Sequence, residues 1–173
     1  MILHLGEFVV RSLVRGDAVS LARHANNPLV ARSLRDRFPS PYSLEDAKAF
    51  IRGIAASHPH LAYAVANEKG AFGVIGFIPG QDVYHRSAEV GFWIGEDFWN
   101  QGIMSAAVDA FAEFLFENFD FNRLYSGIFS SNPASARVLE KAGFRREGTL
   151  RAHIYKNGEV LDEWLYARTR PGL

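Results

Sequence analysis

The residues best placed to do chemistry lie in one run, Glu96-Asp-Phe-Trp-Asn-Gln-Gly-Ile-Met-Ser105. It follows a β-branched and aromatic segment, Ala88-Glu-Val-Gly-Phe-Trp-Ile-Gly95, and leads into Ala106-Ala-Val-Asp-Ala-Phe-Ala-Glu-Phe-Leu115. The first segment has the composition of a strand, and the last places apolar residues at Ile103, Ala107, Ala110, Phe111, Phe114 and Leu115, which is helical spacing. A polar loop with Gly102 at the mouth of a helix leaves several backbone N–H groups unpaired and aimed at one point, where the helix dipole adds partial positive charge. The chemistry expected of Asn100, Gln101, Gly102, Ile103, Met104 and Ser105 is therefore phosphate binding through main-chain amides. There is no Walker lysine and no G-x-G-x-x-G, so the motif differs from the common nucleotide signatures.

Other chemistries find little support. The six histidines show no H-E-x-x-H or comparable spacing, which argues against a metal site. No G-x-S-x-G elbow supports Ser-His-Asp catalysis, and the absence of cysteine removes disulfides, thiolate metal sites and a cysteine nucleophile. Lys+Arg and Asp+Glu number 19 each, so no global field favours nucleic acid or an anionic membrane. The start, Met1-Ile-Leu-His-Leu-Gly6, lacks the features of a signal peptide, and nowhere do eighteen apolar residues run together; a cytoplasmic protein is expected.

The elements that must position the loop follow from local signals. Glu7 to Leu13 reads as a strand, and Asp17 as the N-cap of a helix over Ala18 to Ala25, ended by Asn26-Asn27-Pro28. Ser43 opens a second helix with Asp46 three residues on. Leu61 to Ala66 and Phe72 to Ile78 flank a turn and predict a hairpin, and Arg123 to Phe129 predicts a strand. In Ser130-Ser-Asn-Pro-Ala-Ser-Ala-Arg-Val-Leu-Glu-Lys-Ala-Gly-Phe144, Asn132 caps a helix, Pro133 takes its first position and Gly143 closes it. The tail reads as a hairpin about Asn157-Gly158, a pair that favours a type I′ turn. With 48 % hydrophobic residues and no composition break, 173 residues predict one domain over 1–173, of the α/β class, a mixed sheet with helices on both faces.

Together the two motifs resemble the acetyl-CoA-binding segments of the GCN5-related N-acetyltransferases (GNAT), in particular the branch that acetylates N-termini of ribosomal proteins. The resemblance runs from Gly6 to about Arg168 and takes in Glu7-Phe-Val-Val-Arg-Ser-Leu-Val-Arg-Gly-Asp-Ala18 and Arg37-Phe-Pro-Ser-Pro-Tyr42. Two positions depart from the family pattern, (Gln/Arg)-x-x-Gly-x-(Gly/Ala): Trp99 stands at the first and Met104 at the last. The resemblance implies acetyl-CoA as donor, with its pyrophosphate on the amides of Asn100 to Ser105 and with Trp99, Gln101 and Ser105 as secondary contacts. Trp93 and Ile94 would flank the donor, and its pantetheine arm would hydrogen-bond Asn132. No metal is implied.

Acyl transfer from a thioester to an amine also needs a neutral amine, a donor for the oxyanion and a proton for the leaving thiolate. Glu89, a carboxylate in an otherwise apolar strand, is the candidate base; the alternative is a structural carboxylate paired with an arginine such as Arg86. His85 and His153 are further candidates. The family supplies an oxyanion donor from the backbone, here between Phe92 and Gly95. Many relatives carry a tyrosine acid where this chain has Leu139, which turns attention to Ser135; a helix-start serine is its other reading, as a cap is for Asn132. Arg137 and Lys141 are candidates for a 3′-phosphate contact or for plain solvated surface. The loop Arg35 to Tyr42, with Phe38 and Tyr42 as substrate contacts, is either one wall of the acceptor cleft or a surface connector. The expected function is acetyl transfer to a primary amine, most readily a protein N-terminus, with a small amine (polyamine, amino acid or aminoglycoside) or a non-catalytic acyl-CoA-binding module as alternatives. Both a monomer and a homodimer are compatible with the sequence.

Overall fold

A computed structural model describes residues 2–173, so Met1 of the expected 1–173 domain lies outside the described residues. The strands are β1 (Ile2–Leu5), β2 (Phe8–Ser12), β3 (Ala62–Asn67), β4 (Gly70–Pro79), β5 (Ser87–Ile94), β6 (Arg123–Phe129), β7 (Arg145–Lys156) and β8 (Glu159–Thr169). The helices are α1 (Ala18–Ala25), α2 (Pro28–Ala31), α3 (Leu44–Ala56), α4 (Ile103–Asn118) and α5 (Pro133–Lys141). Hydrogen bonding orders the strands β1-β2-β3-β4-β5-β6-β8-β7, a mixed α/β sheet in which β5 and β6 run parallel. That parallel pairing extends only from Ser87–Arg123 to Glu89–Tyr125.

The described residues divide into two compact units, one of residues 2–76 and 92–107, the other of residues 77–91 and 108–173. In the first, α1 and α3 bury Leu21, Ala25, Ala47 and Ile51 against Ala62, Ala64 and Ala66 of β3. Small residues on the strand let the helices approach closely, and Phe38, Phe50 and Trp93 fill the margin. The capping box expected at the start of α3 is present: Ser43 Oγ accepts from Asp46 N–H at 3.1 Å, and Asp46 accepts from Ser43 N–H at 2.8 Å.

Two expectations are amended here. The strand expected over Glu7 to Leu13 is present as β2, but an unexpected strand precedes it, because Gly6 (φ 74°) turns the chain and pairs Ile2–Leu5 with β2 as a hairpin. Asp17 stands at the N-cap of α1 but its carboxylate does not cap that helix. It is buried and grips both guanidinium nitrogens of Arg11 at 2.7 Å, and it accepts from Val14 N–H at 2.9 Å. A charged partner within reach is a stronger attraction than a neutral helix amide, so the ion pair wins.

In the second unit the aromatic rings of Phe77, Phe111, Phe119 and Phe121 form an edge-on and stacked cluster with centroids 5.1–6.2 Å apart. Within α4 the buried residues are Met104, Ala107, Val108, Phe111, Ala112, Leu115 and Phe116. Of the expected stripe Ala107, Phe111 and Leu115 are buried, while Ile103, Ala110 and Phe114 are half-buried at its margin, Phe114 stacking on Phe111. The helix is apolar on most sides, so the face is set by its acids: Asp109 (2.8 Å) and Glu113 pair with Arg168 of β8. The tail hairpin is as expected, with positive φ at both Asn157 and Gly158.

Burial alone would raise the Asp17 pKa, but the bonds from Arg11 and from the Val14 and Ala71 N–H groups outweigh it and hold it below the ordinary carboxylate value. A depressed carboxylate stabilises the fold above its unfolded pKa of 3.8, and that contribution disappears as pH falls through the lower folded value. Asp17→Asn is expected to cost about 3 kcal/mol at neutral pH in urea unfolding. The difference from wild type should narrow below pH 3.8.

Candidate active site

The loop after β5 is built from short, mutually supporting bonds. Glu96–Phe98 forms one 3₁₀ turn, in which Phe98 N–H reaches Gly95 C=O and Trp99 N–H reaches Glu96 C=O, both at 3.0 Å. The Trp99 indole N–H then donates to Ile94 C=O at 2.9 Å, and the Gln101 amide donates to Asp97 C=O at 2.9 Å. These bonds fold the loop back on the end of its own strand. Asn100 (φ 60°) and Gly102 (φ 75°) both adopt left-handed backbone, which reverses the chain into α4.

The first backbone hydrogen bond at the head of α4 runs from Ala106 N–H to Gly102 C=O at 3.1 Å. The amides of Ile103, Met104 and Ser105 precede it and have no acceptor within the helix. They stand beside left-handed backbone at Asn100 and Gly102, a conformation from which anion nests are built. The side chains divide as follows: Met104 is buried in the core, Ser105 and Ile103 are half-buried, and Asn100, Gln101 and Gly102 are exposed. Met104 therefore does not crowd the loop, and what it presents there is its amide. Trp99 and Gln101 support the loop from within; the sole indole donor of Trp99 is engaged.

Trp93 and Ile94 are half-buried at the end of β5, in the same unit as the loop. Gly95 N–H donates to Phe72 C=O of β4 at 2.8 Å. Alternation along an extended strand then turns the N–H groups of Phe92 and Ile94 to the side away from β4. Phe38 packs against Tyr42 at 4.9 Å and edge-on to Trp93 at 5.6 Å. Tyr42 is only 6 % exposed, and burial, with Asp46 nearby, pushes its phenol up to about 12. Tyr42 is thus a core residue that backs Phe38 and offers little open surface to an acceptor.

The second unit holds the remaining candidates. Asn132 caps α5: its carbonyl oxygen accepts from Ser135 N–H at 3.2 Å and its amide nitrogen donates to Ser135 Oγ at 2.8 Å. That arrangement leaves the Ser135 hydroxyl proton free to be donated elsewhere. Leu139 is fully buried beneath α5, whereas Arg137 and Lys141 are exposed. Glu89 is half-buried between the buried Ala88 and Val90, at the last position where β5 pairs with β6. Arg86 is held by Asp120 at 2.5 Å. His85 is exposed and bonded to its own turn.

Sequence reasoning missed one carboxylate. The Glu163 side chain is 14 % exposed, lies across Gly127 so closely that a Cβ there would sit 2.0 Å from its Oε1, and stands 3.5 Å from His153. The only sequence signal was a glycine in the middle of β6, which marks a close approach without naming what approaches.

Among the described residues no three His, Asp or Glu side chains gather as a metal site, and no helix is long and apolar enough to cross a membrane. Residues 7–145 match the acetyltransferase (GNAT) domain family, and the chain belongs to it. It is accordingly an N-acetyltransferase by family. The uncharacterized N-acetyltransferase YoaA of Bacillus subtilis (strain 168) is 28 % identical over 175 residues, covering 98 % of this chain and 97 % of its own. The ribosomal-protein-serine acetyltransferase of Escherichia coli (strain K12) is 29 % identical over 129 residues, 73 % of this chain and 72 % of its own. A solved structure of RimL, a ribosomal L7/L12 alpha-N-protein acetyltransferase in complex with coenzyme A, superposes with a TM-score of 0.85 at 24 % identity, covering 98 % of each chain.

Trp99→Phe removes the bond to Ile94 while keeping most of the ring. It is expected to cost about 1 kcal/mol in thermal or urea unfolding and to speed hydrogen exchange of the amides between Gly95 and Gly102.

Proposed function

We propose that residues 1–173 form one catalytic domain that transfers the acetyl group of acetyl-CoA to a primary amine by direct attack in a ternary complex. The single observation that carries the donor half is the head of α4, where three successive amides precede the first helical bond beside two left-handed turns. Such a group of N–H donors with a helix dipole behind it matches a pyrophosphate. The coenzyme A bound by RimL, and the family match across residues 7–145, support the same donor.

In this reading the amides of Asn100 to Ser105 hold the pyrophosphate, with Trp93, Ile94 and Ser105 beside the donor. The amine lone pair attacks the thioester carbon, and the oxyanion accepts from an N–H of β5. Phe92 and Ile94 are the donors for this step, since the Gly95 N–H is engaged by Phe72. Glu89 takes the proton released by the ammonium. As the C–S bond breaks and the carbonyl re-forms, the thiolate takes a proton relayed through the Ser135 hydroxyl, which a solvent water reprotonates in the same step while Glu89 returns its proton to solvent; the orientation of that hydroxyl rests on the bond from Asn132. Asn132 retains a second amide proton for the pantetheine arm. The protein acts as monomer or homodimer, in the cytoplasm, without a metal.

The acceptor in this reading is the α-amine of a protein N-terminus, ribosomal proteins included. Similarity to the Escherichia coli ribosomal-protein-serine acetyltransferase supports it. So does a net charge of zero, which offers no acidic field for a polycationic amine. An α-amine, with a pKa near 8 against about 10.4 for lysine, is also more readily available in neutral form.

Free-thiol release from acetyl-CoA across N-terminal peptides, amino acids, polyamines and aminoglycosides tests the whole reading. Alanine- or serine-started peptides should give the highest kcat/KM; a higher value for spermidine or an aminoglycoside overturns the acceptor assignment. Gly102→Val should raise the Kd for acetyl-CoA about tenfold or more by obstructing approach to the amides, and unchanged affinity in the folded variant overturns the loop assignment. Glu89→Gln should lower kcat by about 10² with acetyl-CoA affinity retained. An undiminished kcat would transfer the base role to the His153–Glu163 pair.

A further inference from the structure

The loop that bears the amides is short and exposed, so something must fix its position. Behind it stands the last turn of α1. His24 is 14 % exposed and packs edge-on to Phe98 at a centroid distance of 5.4 Å, while the other side of Phe98 stacks on Phe72 of β4 at 3.9 Å. Burial holds the imidazole below its ordinary pKa, with Asp97 at 3.9 Å acting in the opposite sense. Asn27, which caps α2, donates to Glu96 at 2.6 Å. Each residue of the 3₁₀ turn is thus touched by His24 of α1 or by Asn27, two residues beyond its end.

Gly95 shows how close this contact is. A Cβ at Gly95 would lie 2.8 Å from His24 Nδ1 and 2.9 Å from His24 Cβ. The second contact is next to the α1 backbone, so rotation of the imidazole would not relieve it. The Gly95 backbone itself (φ −58°, ψ 147°) is open to any residue. Glycine is required there by His24 and by nothing in the local conformation.

We propose that His24, with Asn27, is a positioning residue for the phosphate-binding loop: it fits against Gly95 and Phe98 and so sets where the amides at the head of α4 stand. The inference rests on the reading that this loop holds the donor's phosphates. In this reading His24 acts on donor affinity and not on the reacting atoms, because the chain from Ile94 to Gln101, which leads into α4, is cross-bonded.

The test is a double-mutant cycle on the full chain, with acetyl-CoA affinity read by calorimetry and kinetics read by thiol release. Gly95→Ala should raise Kd and KM for acetyl-CoA about tenfold, since displacements of about 1 Å carry costs of that size or larger, with a smaller effect on kcat at saturating acetyl-CoA. His24→Ala should also weaken binding. In the double variant of His24→Gly with Gly95→Ala, which lacks the His24 Cβ as well as the ring, Gly95→Ala should add no further loss, because the clash has gone. Effects that multiply in the double variant overturn the proposal. So does unchanged affinity in Gly95→Ala when Gly102→Val, measured alongside, loses affinity; if both are silent, the loop reading itself falls. Should Gly95→Ala fail to fold by circular dichroism, His24→Ala and Asn27→Ala, which only remove atoms, carry the same test. Unchanged Kd in both overturns the inference.

Discussion

The amides of Ile103, Met104 and Ser105 have no place to go inside the helix they begin. Every α-helix has this excess of donors, and most helices dispose of it by a capping side chain, as α3 does with Ser43 and α5 with Asn132. At α4 the chain arrives through two left-handed residues, and the nearby side chains bond elsewhere: Trp99 to Ile94, Gln101 to Asp97. These three amides stay outside the helix's own bonding, and the elements around them keep that arrangement in place.

Keeping it in place needs support on both sides of the loop. On one side α4 is anchored by its buried stripe from Met104 to Phe116 and by the grip of Asp109 and Glu113 on Arg168. On the other, the 3₁₀ turn is seated on Phe72 and closed by His24 and Asn27. Asp17 anchors the start of α1, the helix that carries His24, through Arg11 of β2 and the Ala71 N–H of β4. A buried carboxylate satisfied by a bidentate arginine and two amides gives a fixed reference point that a purely apolar contact, which tolerates sliding, does not.

The same economy of polar groups marks α5. One asparagine serves as helix cap and, through its amide nitrogen, sets the direction of the Ser135 hydroxyl. Leu139, at the position where many family members carry a tyrosine, is fully buried and belongs to the packing of the helix. Leu139 offers no proton donor, and the hydroxyl on this helix nearest the Asn132 cap is that of Ser135 at its start.

The sequence by itself determined what depends on near neighbours. Gly102 and the apolar run after it specify a turn into a helix; Ser43 with Asp46, Asn132 with Pro133, and Asn157-Gly158 specify caps and a hairpin, because each is a bond or a φ preference spanning four residues or fewer. The family was legible too, since its motifs are local. Only the tertiary structure decided which long-range partner a side chain takes. Asp17 reads as a cap and is an ion pair, Tyr42 reads as a substrate contact and is core, Met104 departs from the family pattern and points inward, and Gly95, without a local signal in the sequence, is glycine because His24 lies against it. These outcomes turn on charge and volume meeting across the fold, between residues up to 71 positions apart in the case of His24 and Gly95 (95 − 24), and no local pattern encodes such a meeting.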